Sequence, residues 1–378
     1  MIRFSYWERD ALVSKVECAI IGSGIVGINA ALAYRKHRPD ASILVLERGM
    51  LPTGASTRNA GFACIGSATE LLDDLQEHSE QELIQLVRSR WAGLKALRQQ
   101  VGDRALRYEP VGGYEWLADS SAADVTRQLP MLNRLLEAAT GHDRVLELVA
   151  PSQVTRLGLR HAPRGIVNRL EGCLHPGYMM RTLIRQAQSQ GVTVYCGADI
   201  TGIHDDGTQV YLQLRDGRYL TAARAIVATN GFARQLLPTL ELHAVRNQVL
   251  VTAPIPHCRI KGTFHHDRGY YYVRHIGQHQ ILIGGGRHTR PHEETTDSFG
   301  TSVPMQAHLL DFLMQHFDVP HDVQVADYWS GILGVGRIKK PILAHTSERV
   351  VVAVRMGGMG VAIGTRVGRE AASLILSD

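Results

Sequence analysis

The chain has 378 residues, 44% of them hydrophobic and 20% charged, which is enough apolar material for one large core or two moderate ones and makes two domains the expectation. Lys and Arg outnumber Asp and Glu by 41 to 36, a net charge of +5 that is scattered apart from Arg337-Ile338-Lys339-Lys340. A mildly basic surface suited to anionic ligands follows, with nucleic-acid binding not indicated. The cysteines (Cys18, Cys64, Cys173, Cys196 and Cys258) are odd in number and far apart, which excludes a disulfide framework and fits reduced thiols in a cytoplasmic protein. The 18 histidines show no spacing with Cys or Glu that specifies zinc, so no metal is expected.

The first fourteen residues, from Met1 and Ile2 onward, mix aromatics with both charges and do not read as a signal peptide. The longest apolar stretch, 18–33, is broken by glycines, Ser23 and Asn29, so it reads as a buried strand and helix start rather than a membrane span of about 20 residues. Within it stands Gly22-Ser23-Gly24-Ile25-Val26-Gly27, after Cys18-Ala19-Ile20-Ile21 and before a helix running from Ile25 to about Arg38. In such a turn, Gly22 allows the tight bend, Gly24 admits a pyrophosphate to the main chain, and Gly27 lets helix and strand pack closely. The N–H groups and dipole at the helix start attract phosphate. Glu47, ending Ser42-Ile43-Leu44-Val45-Leu46, is placed to accept from the hydroxyls of an adenosine ribose.

After Glu47 a polar, glycine-containing run, Thr53 to Gly61, reads as a ligand-facing loop. Apolar residues then recur at helical intervals from Ala68 to Gln100, predicting two helices. A strand over 111–118 with a glycine bend and a helix over 122–139 follow. His175-Pro176-Gly177 introduces a helix to Gln190, and Val192 to Cys196 is a parallel-type strand. A hairpin joins Gln209–Leu214 to Tyr219–Thr221 through Asp216-Gly217, and Ala223 to Gly231 is a buried strand ending in a polar turn. From Val245 to Gly286 alternating, aromatic-rich runs predict an antiparallel sheet flooring a pocket. Met305–Phe317 is helical, and Val350–Val354 leads through Arg355-Met356-Gly357-Gly358-Met359-Gly360 into a last helix ending at Leu376.

These segments carry a resemblance. The run Gly22 to Gly27 with Glu47-Arg48, then Ser56-Thr57-Arg58-Asn59-Ala60-Gly61, then Ala228-Thr229-Asn230-Gly231, and finally Gly357-Gly358-Met359-Gly360 resemble the FAD-dependent D-amino-acid oxidase, glycine oxidase and sarcosine oxidase superfamily nearly from end to end. Val245-Arg246-Asn247-Gln248, Tyr271-Tyr272-Val273-Arg274, Leu282 to Gly286 and Trp329-Ser330-Gly331 look most like its gamma-glutamylputrescine oxidase branch. The resemblance implies an α/β fold with a Rossmann-like FAD-binding domain on a parallel sheet and an antiparallel-sheet (α+β) substrate domain inserted discontinuously. The expected borders are 1–88, 148–240 and 326–378 for the first and 89–147 and 241–325 for the second. It implies that Arg58 to Gly61 wrap the pyrophosphate and flavin edge, that the backbone around Ile200 meets the adenine, and that Gly358 to Gly360 face the pyrimidine end of the isoalloxazine. Relatives that hold flavin covalently do so through a histidine or a cysteine; this chain has Thr57-Arg58-Asn59 at the first place and no cysteine beyond Cys258, so non-covalent FAD is expected.

The implied activity is oxidation of the C–N bond of a small amine: hydride moves to flavin N5, the imine hydrolyses, and O2 or another acceptor reoxidises the flavin. Family members that oxidise amino acids place an arginine after the tryptophan-glycine segment to clamp the substrate carboxylate. Leu333 stands there in this chain, and Arg337 follows four residues later. The pocket candidates are therefore Tyr270, Tyr272 and Arg274 on one strand face, Arg246 and Gln248 on a face of another strand, and Trp329, with Arg274 favoured to meet an anionic group. Two other readings compete: a flavoenzyme processing the side chain of transfer RNA wobble uridines, and a flavin-binding subunit of a larger dehydrogenase.

Overall fold

The computed structural model describes residues 3–377 apart from 15, 118, 162 and 163. Met1 and Ile2, and Ala118 at the end of one expected strand, lie outside the described residues. The strand Val16–Ile21 is apolar along nearly its whole length because both of its faces are covered, the usual condition of a parallel sheet. It pairs in parallel with Ile43–Glu47 on one side and Tyr219–Val227 on the other. The sheet order is Ile342–Ser347, Val350–Val354, Tyr219–Val227, Val16–Ile21, Ile43–Glu47, Thr193–Cys196. Alternation sorts the side chains: Cys18, Ile20, Val45 and Ile226 pack with the helices, whereas Ala19, Leu44, Leu46 and Val227 pack against Val210, Leu212 and Leu220 of the hairpin on the other face.

Two segments expected to be separate are one strand. Tyr219–Val227 pairs antiparallel with Val210–Leu214 through its first half and parallel with Val16–Ile21 through its second, Ala222 having a partner on both sides. The helix Ile25–His37 lies so close to the preceding strand that a Cβ on Gly27 would collide with the Gly22 carbonyl oxygen. The helix Gly360–Ile375 packs on that first helix and on Glu80–Val101.

The second sheet runs Val325–Val335, His243–Thr252, Gln280–Gly285, Tyr271–Ile276, Thr263–His266, Gly113–Trp116, Gly165–Asn168, Leu146–Val149. Every junction is antiparallel except that between Thr263–His266 and Gly113–Trp116. Its apolar face, with Leu250, Phe264, Val273 and Ile283, packs on the helix Val303–His316 through Leu309, Phe312 and Leu313. The expected domain borders at 88/89, 147/148 and 325/326 fall inside the helix Glu80–Val101, the strand Leu146–Val149 and the strand Val325–Val335. Among the described residues no helix is long and apolar enough to cross a membrane.

The Gly22–Gly27 contact sets the first test. Gly27→Ala should cost about 1–3 kcal/mol, since backbone must move to admit the methyl group, and urea denaturation of variant and parent measures it; equal midpoints would show the contact to be loose.

Candidate active site

Because the central strands are parallel, Ile21, Glu47, Val227 and Val354 all end at one edge, and the turns that follow them meet there. A cleft with about 1210 Å3 of empty space, its mouth included, opens along this edge. Of the expected nucleotide residues, Gly22, Gly24, Ile25, Val26, Glu47, Arg48, Ser56, Asn59, Ile200, Thr229, Asn230, Gly358 and Gly360 line it. Ser23, Gly27, Thr57, Gly61 and Gly231 do not; they shape its walls. Ser23 donates to Glu47 Oε2 from both its amide (3.2 Å) and its hydroxyl (2.6 Å), and Gly49 N donates to Oε1, so the buried carboxylate is aimed by the glycine turn itself.

The loop after the second strand reaches back to this turn. Ser56 Oγ accepts from Ile25 N at 2.9 Å, satisfying an amide at the start of the first helix, so fewer free N–H groups remain there than the motif implies. A Cβ on Gly24 would stand 2.9 Å from the same hydroxyl oxygen. On the far wall, Asn230 takes a left-handed conformation (φ 46°) and its Oδ1 accepts from Met356 N at 3.1 Å, joining the turn after one parallel strand to the turn after its neighbour. Thr229 Oγ1 is buried at the cleft with no hydrogen-bond partner among the described residues, as expected of a group that awaits a polar ligand.

A second cavity adjoins the first, the two sharing Ala55, Asn59, Leu333, Gly358 and Val361 as lining. Arg58, Asn59 and Ala60 line it together with Gly357, Gly358 and Met359. Tyr270 and Tyr272 line it. A Cβ on Gly284 would come within 2.6 Å of the Tyr272 hydroxyl oxygen, so the glycine is what seats that ring against its neighbouring strand. Burial pushes the Tyr272 phenol up to about 12, against the smaller opposing effects of Arg287 and Asn247, so it stays neutral.

Four pocket candidates are corrected. Arg274 is buried with Nη1 donating to the carbonyls of Ala60, Gly61 and Leu174 and Nε donating to that of His275; it braces the loop beneath the cavity and is not free for an anion. Arg246 binds Glu294 with two nitrogens at 3.0 Å, and Gln248 donates to the same carboxylate at 2.7 Å. Their strand turns its other face, Asn247 and Val249, to the cavity. Trp329 Nε1 donates to Arg58 O at 2.9 Å and does not line the cavity, although Gly331 and Leu333 on the same strand do.

Residues the sequence reading passed over complete the wall: His265, Arg268, Arg287, Glu70, Asp73 and Lys339. His265 Nε2 lies 3.2 Å from Glu171 Oε2, and Glu171 Oε1 accepts from the amides of Ile65 and Gly66 and from Asn168 Nδ2. Cys64 joins this pair, the thiol sulfur, a carboxylate oxygen and a ring nitrogen lying within 4.8 Å of one another, as do those of Glu109, Cys173 and His275 elsewhere. Such groups are invisible to spacing rules because their members come from distant strands. Burial works against a charge on His265, but the hydrogen bond and charge of Glu171 outweigh it and raise the imidazole above its usual value. Burial holds the Cys64 thiol protonated.

The chain belongs to the FAD dependent oxidoreductase (DAO) family, which it matches over residues 17–374. It is 25% identical over 374 residues to the probable oxidoreductase OrdL of Rhizobium meliloti (strain 1021), covering 96% of this chain and 83% of that one. In fold it is similar to L-proline dehydrogenase from P. horikoshii, with a TM-score of 0.77 at 16% identity over 96% of this chain and 94% of that one. It is also similar to glycine oxidase from Geobacillus kaustophilus, with a TM-score of 0.76 at 19% identity over 95% and 94%. The α/β architecture with parallel and antiparallel sheets is the one expected for the family.

The His265–Glu171 pair has a pH signature. A histidine raised in the folded state stabilises fully below its usual value of 6.5, and that stabilisation is lost as pH climbs through the raised value. His265→Gln should therefore lower the melting temperature by at least roughly 2 °C at about pH 6 and by much less near pH 9. A pH-independent difference between parent and variant would mean that the pair carries no charge.

Proposed function

We propose that this protein holds FAD non-covalently in the first cleft and oxidises the C–N bond of a small amine in the second cavity. Family membership supports the cofactor, and the observation that carries the site is the convergence of Arg58–Ala60 with Gly357–Met359 where the two cavities join. The residues fit the group: a ribose acceptor in Glu47, cleft-lining glycines at Gly22 and Gly24, and a Thr229 hydroxyl with no hydrogen-bond partner among the described residues. When bound, FAD supplies a two-electron acceptor for the hydride leaving the carbon beside a neutral amine, after which the imine hydrolyses and O2 or another acceptor restores the cofactor.

The chain's own part is binding and orientation. Gly22, Gly24, Ile25 and Val26 would take the pyrophosphate, Glu47 and Arg48 the ribose end, Ile200 the adenine, and Ser56 and Asn59 with Thr229 and Asn230 the middle of the cofactor. Gly357 to Gly360, at the amino end of a 16-residue helix, would face the ring edge that gains negative charge on reduction, where the helix dipole is favourable. Leu333, Val249 and Val361 offer an apolar wall that excludes water, while Tyr272 and Tyr270 supply aromatic surface to the substrate. The parallel sheet then serves the cofactor and the antiparallel sheet floors the substrate cavity, with borders that follow sheet membership. Within the family we place the chain nearest the gamma-glutamylputrescine oxidase branch, on the motifs named above, and expect it to act in the cytoplasm.

Purified protein should be yellow, and acid precipitation should leave the flavin in the supernatant. Anaerobic mixing with a panel of small primary and secondary amines should bleach the flavin band with at least one of them. Gly24→Val, which crowds the Ser56 hydroxyl, should yield protein depleted of flavin. A flavin-replete protein that no amine bleaches would overturn the proposed reaction.

A further inference from the structure

We infer that Glu109, Cys173 and His275 form a binding site for one thiophilic divalent cation of the zinc class, behind the wall of the second cavity. The site makes no use of the flavin and stands apart from the proposed reaction. Its residues come from three separate segments, so no spacing in the sequence points to it. Glu109 and Cys173 face each other in an isolated antiparallel bridge, Glu109 N donating to Cys173 O at 2.8 Å and Cys173 N to Glu109 O at 3.0 Å. Residues opposed in this way send their side chains to one face. Cys173 is also in register with Phe62, which lines the second cavity.

The third member arrives on the strand Tyr271–Ile276. His275 Nε2 stands 3.0 Å from Glu109 Oε2, and a carboxylate oxygen, the thiol sulfur and a ring nitrogen lie within 4.8 Å of one another. Carboxylate, thiolate and imidazole are the ligands zinc combines, and bonds of about 2.0–2.3 Å set tetrahedral ligands roughly 3.2–3.8 Å apart, so a movement of about an ångström closes the set. The half-exposed Glu109 side chain leaves a path for the ion and for a water in the fourth position, while Cys173 and His275 are buried.

The imidazole is prepared for both states. Nδ1 lies 3.0 Å from the Gly262 amide nitrogen and 3.2 Å from the Gly262 carbonyl oxygen. With its proton on Nε2, the ring donates to Glu109 and Nδ1 accepts from the amide. With Nε2 on a metal, the proton sits on Nδ1 and the carbonyl accepts it, which is how a backbone group orients a ligating histidine. The thiol releases its proton to solvent on binding, and thiolate and carboxylate together offset the charge of a divalent ion. The similar set Cys64, Glu171 and His265 lacks this freedom, since Glu171 Oε1 already accepts from Ile65 N, Gly66 N and Asn168 Nδ2. A bound ion ties the strand Tyr271–Ile276 to the Glu109–Cys173 bridge, so its effect is on stability.

The test uses the flavin-loaded full chain, stripped with EDTA and kept reduced, titrated with Zn2+ by calorimetry and with Cd2+ by ultraviolet absorbance, where cadmium–thiolate bonds give a band of their own. The parent should bind one Zn2+ per chain, show the cadmium–thiolate band at one equivalent, and melt at least about 2 °C higher in excess Zn2+. Cys173→Ser should lose the band, whereas Cys64→Ser should keep it. Glu109→Gln, altered at a half-exposed side chain, should bind Zn2+ at least ~10-fold more weakly. A parent without the band, a band that persists in Cys173→Ser, or one lost in folded Cys64→Ser overturns the assignment; so does zinc binding without the band, which would place the ion on other histidines. If Cys173→Ser does not fold, Glu109→Gln decides the matter, and an affinity equal to the parent's overturns the site.

Discussion

The parallel pairing of Val16–Ile21 with Ile43–Glu47 and Tyr219–Val227, and of the last with Val350–Val354, is the constraint on which the remainder depends. Parallel strands must finish at the same edge, so four turns of different sequence are forced into one crevice regardless of their distance along the chain. Close contact at Gly22 and Gly27 brings the first helix to that crevice, and the hydrogen bonds from Ile25 N to Ser56 and from Met356 N to Asn230 lock neighbouring turns together. The shape of the cleft is thus set by backbone geometry, and its polarity by a few side chains such as Glu47 and Thr229.

The antiparallel sheet meets the crevice differently. One of its faces is consumed by the helix Val303–His316, so only the alternate residues of each strand can reach the cavity. Gly284 lets Tyr272 lie against its neighbour, and Arg274 draws the carbonyls of Ala60, Gly61 and Leu174 onto the same sheet. An arginine committed to three carbonyl oxygens joins the cofactor-side loop to the substrate-side sheet, which gives a buried cation a structural use where a surface reading would have offered it to a ligand. Similarly, Glu171 holds the Ile65-Gly66 turn and the His265 ring at once, so the charge state of one histidine bears on the position of a cavity wall.

The nucleotide half was legible because its signals are local. Gly22, Gly24 and Gly27 are needed for contacts within one strand-turn-helix unit, and the acid at the end of the next strand follows at a fixed distance, so sequence spacing and spatial spacing coincide. The substrate half was legible only as a set of strands. Alternation correctly grouped Arg246 with Gln248 and Tyr272 with Arg274, but it carries no sign. Which group faces the cavity is set by what packs on the other side, and there Glu294 claimed the first pair.

What the amino-acid sequence determined by itself was the run of most strands and helices and the carboxyl-edge position of the glycine turns, because these follow from short-range sterics and hydrophobic period; the family was carried by the resemblance of its motifs. Tertiary structure alone decided the partners of the charges. Arg246, Arg274 and Arg287 are equivalent in sequence, each an arginine on or beside a strand of one sheet, yet one is paired with a carboxylate, one is hydrogen-bonded to carbonyl oxygens, and one faces the cavity without an ion-pair partner among the described residues. The difference is a matter of which residues, tens to hundreds of positions away, arrive within about 3 Å in the folded chain, and no local pattern encodes that.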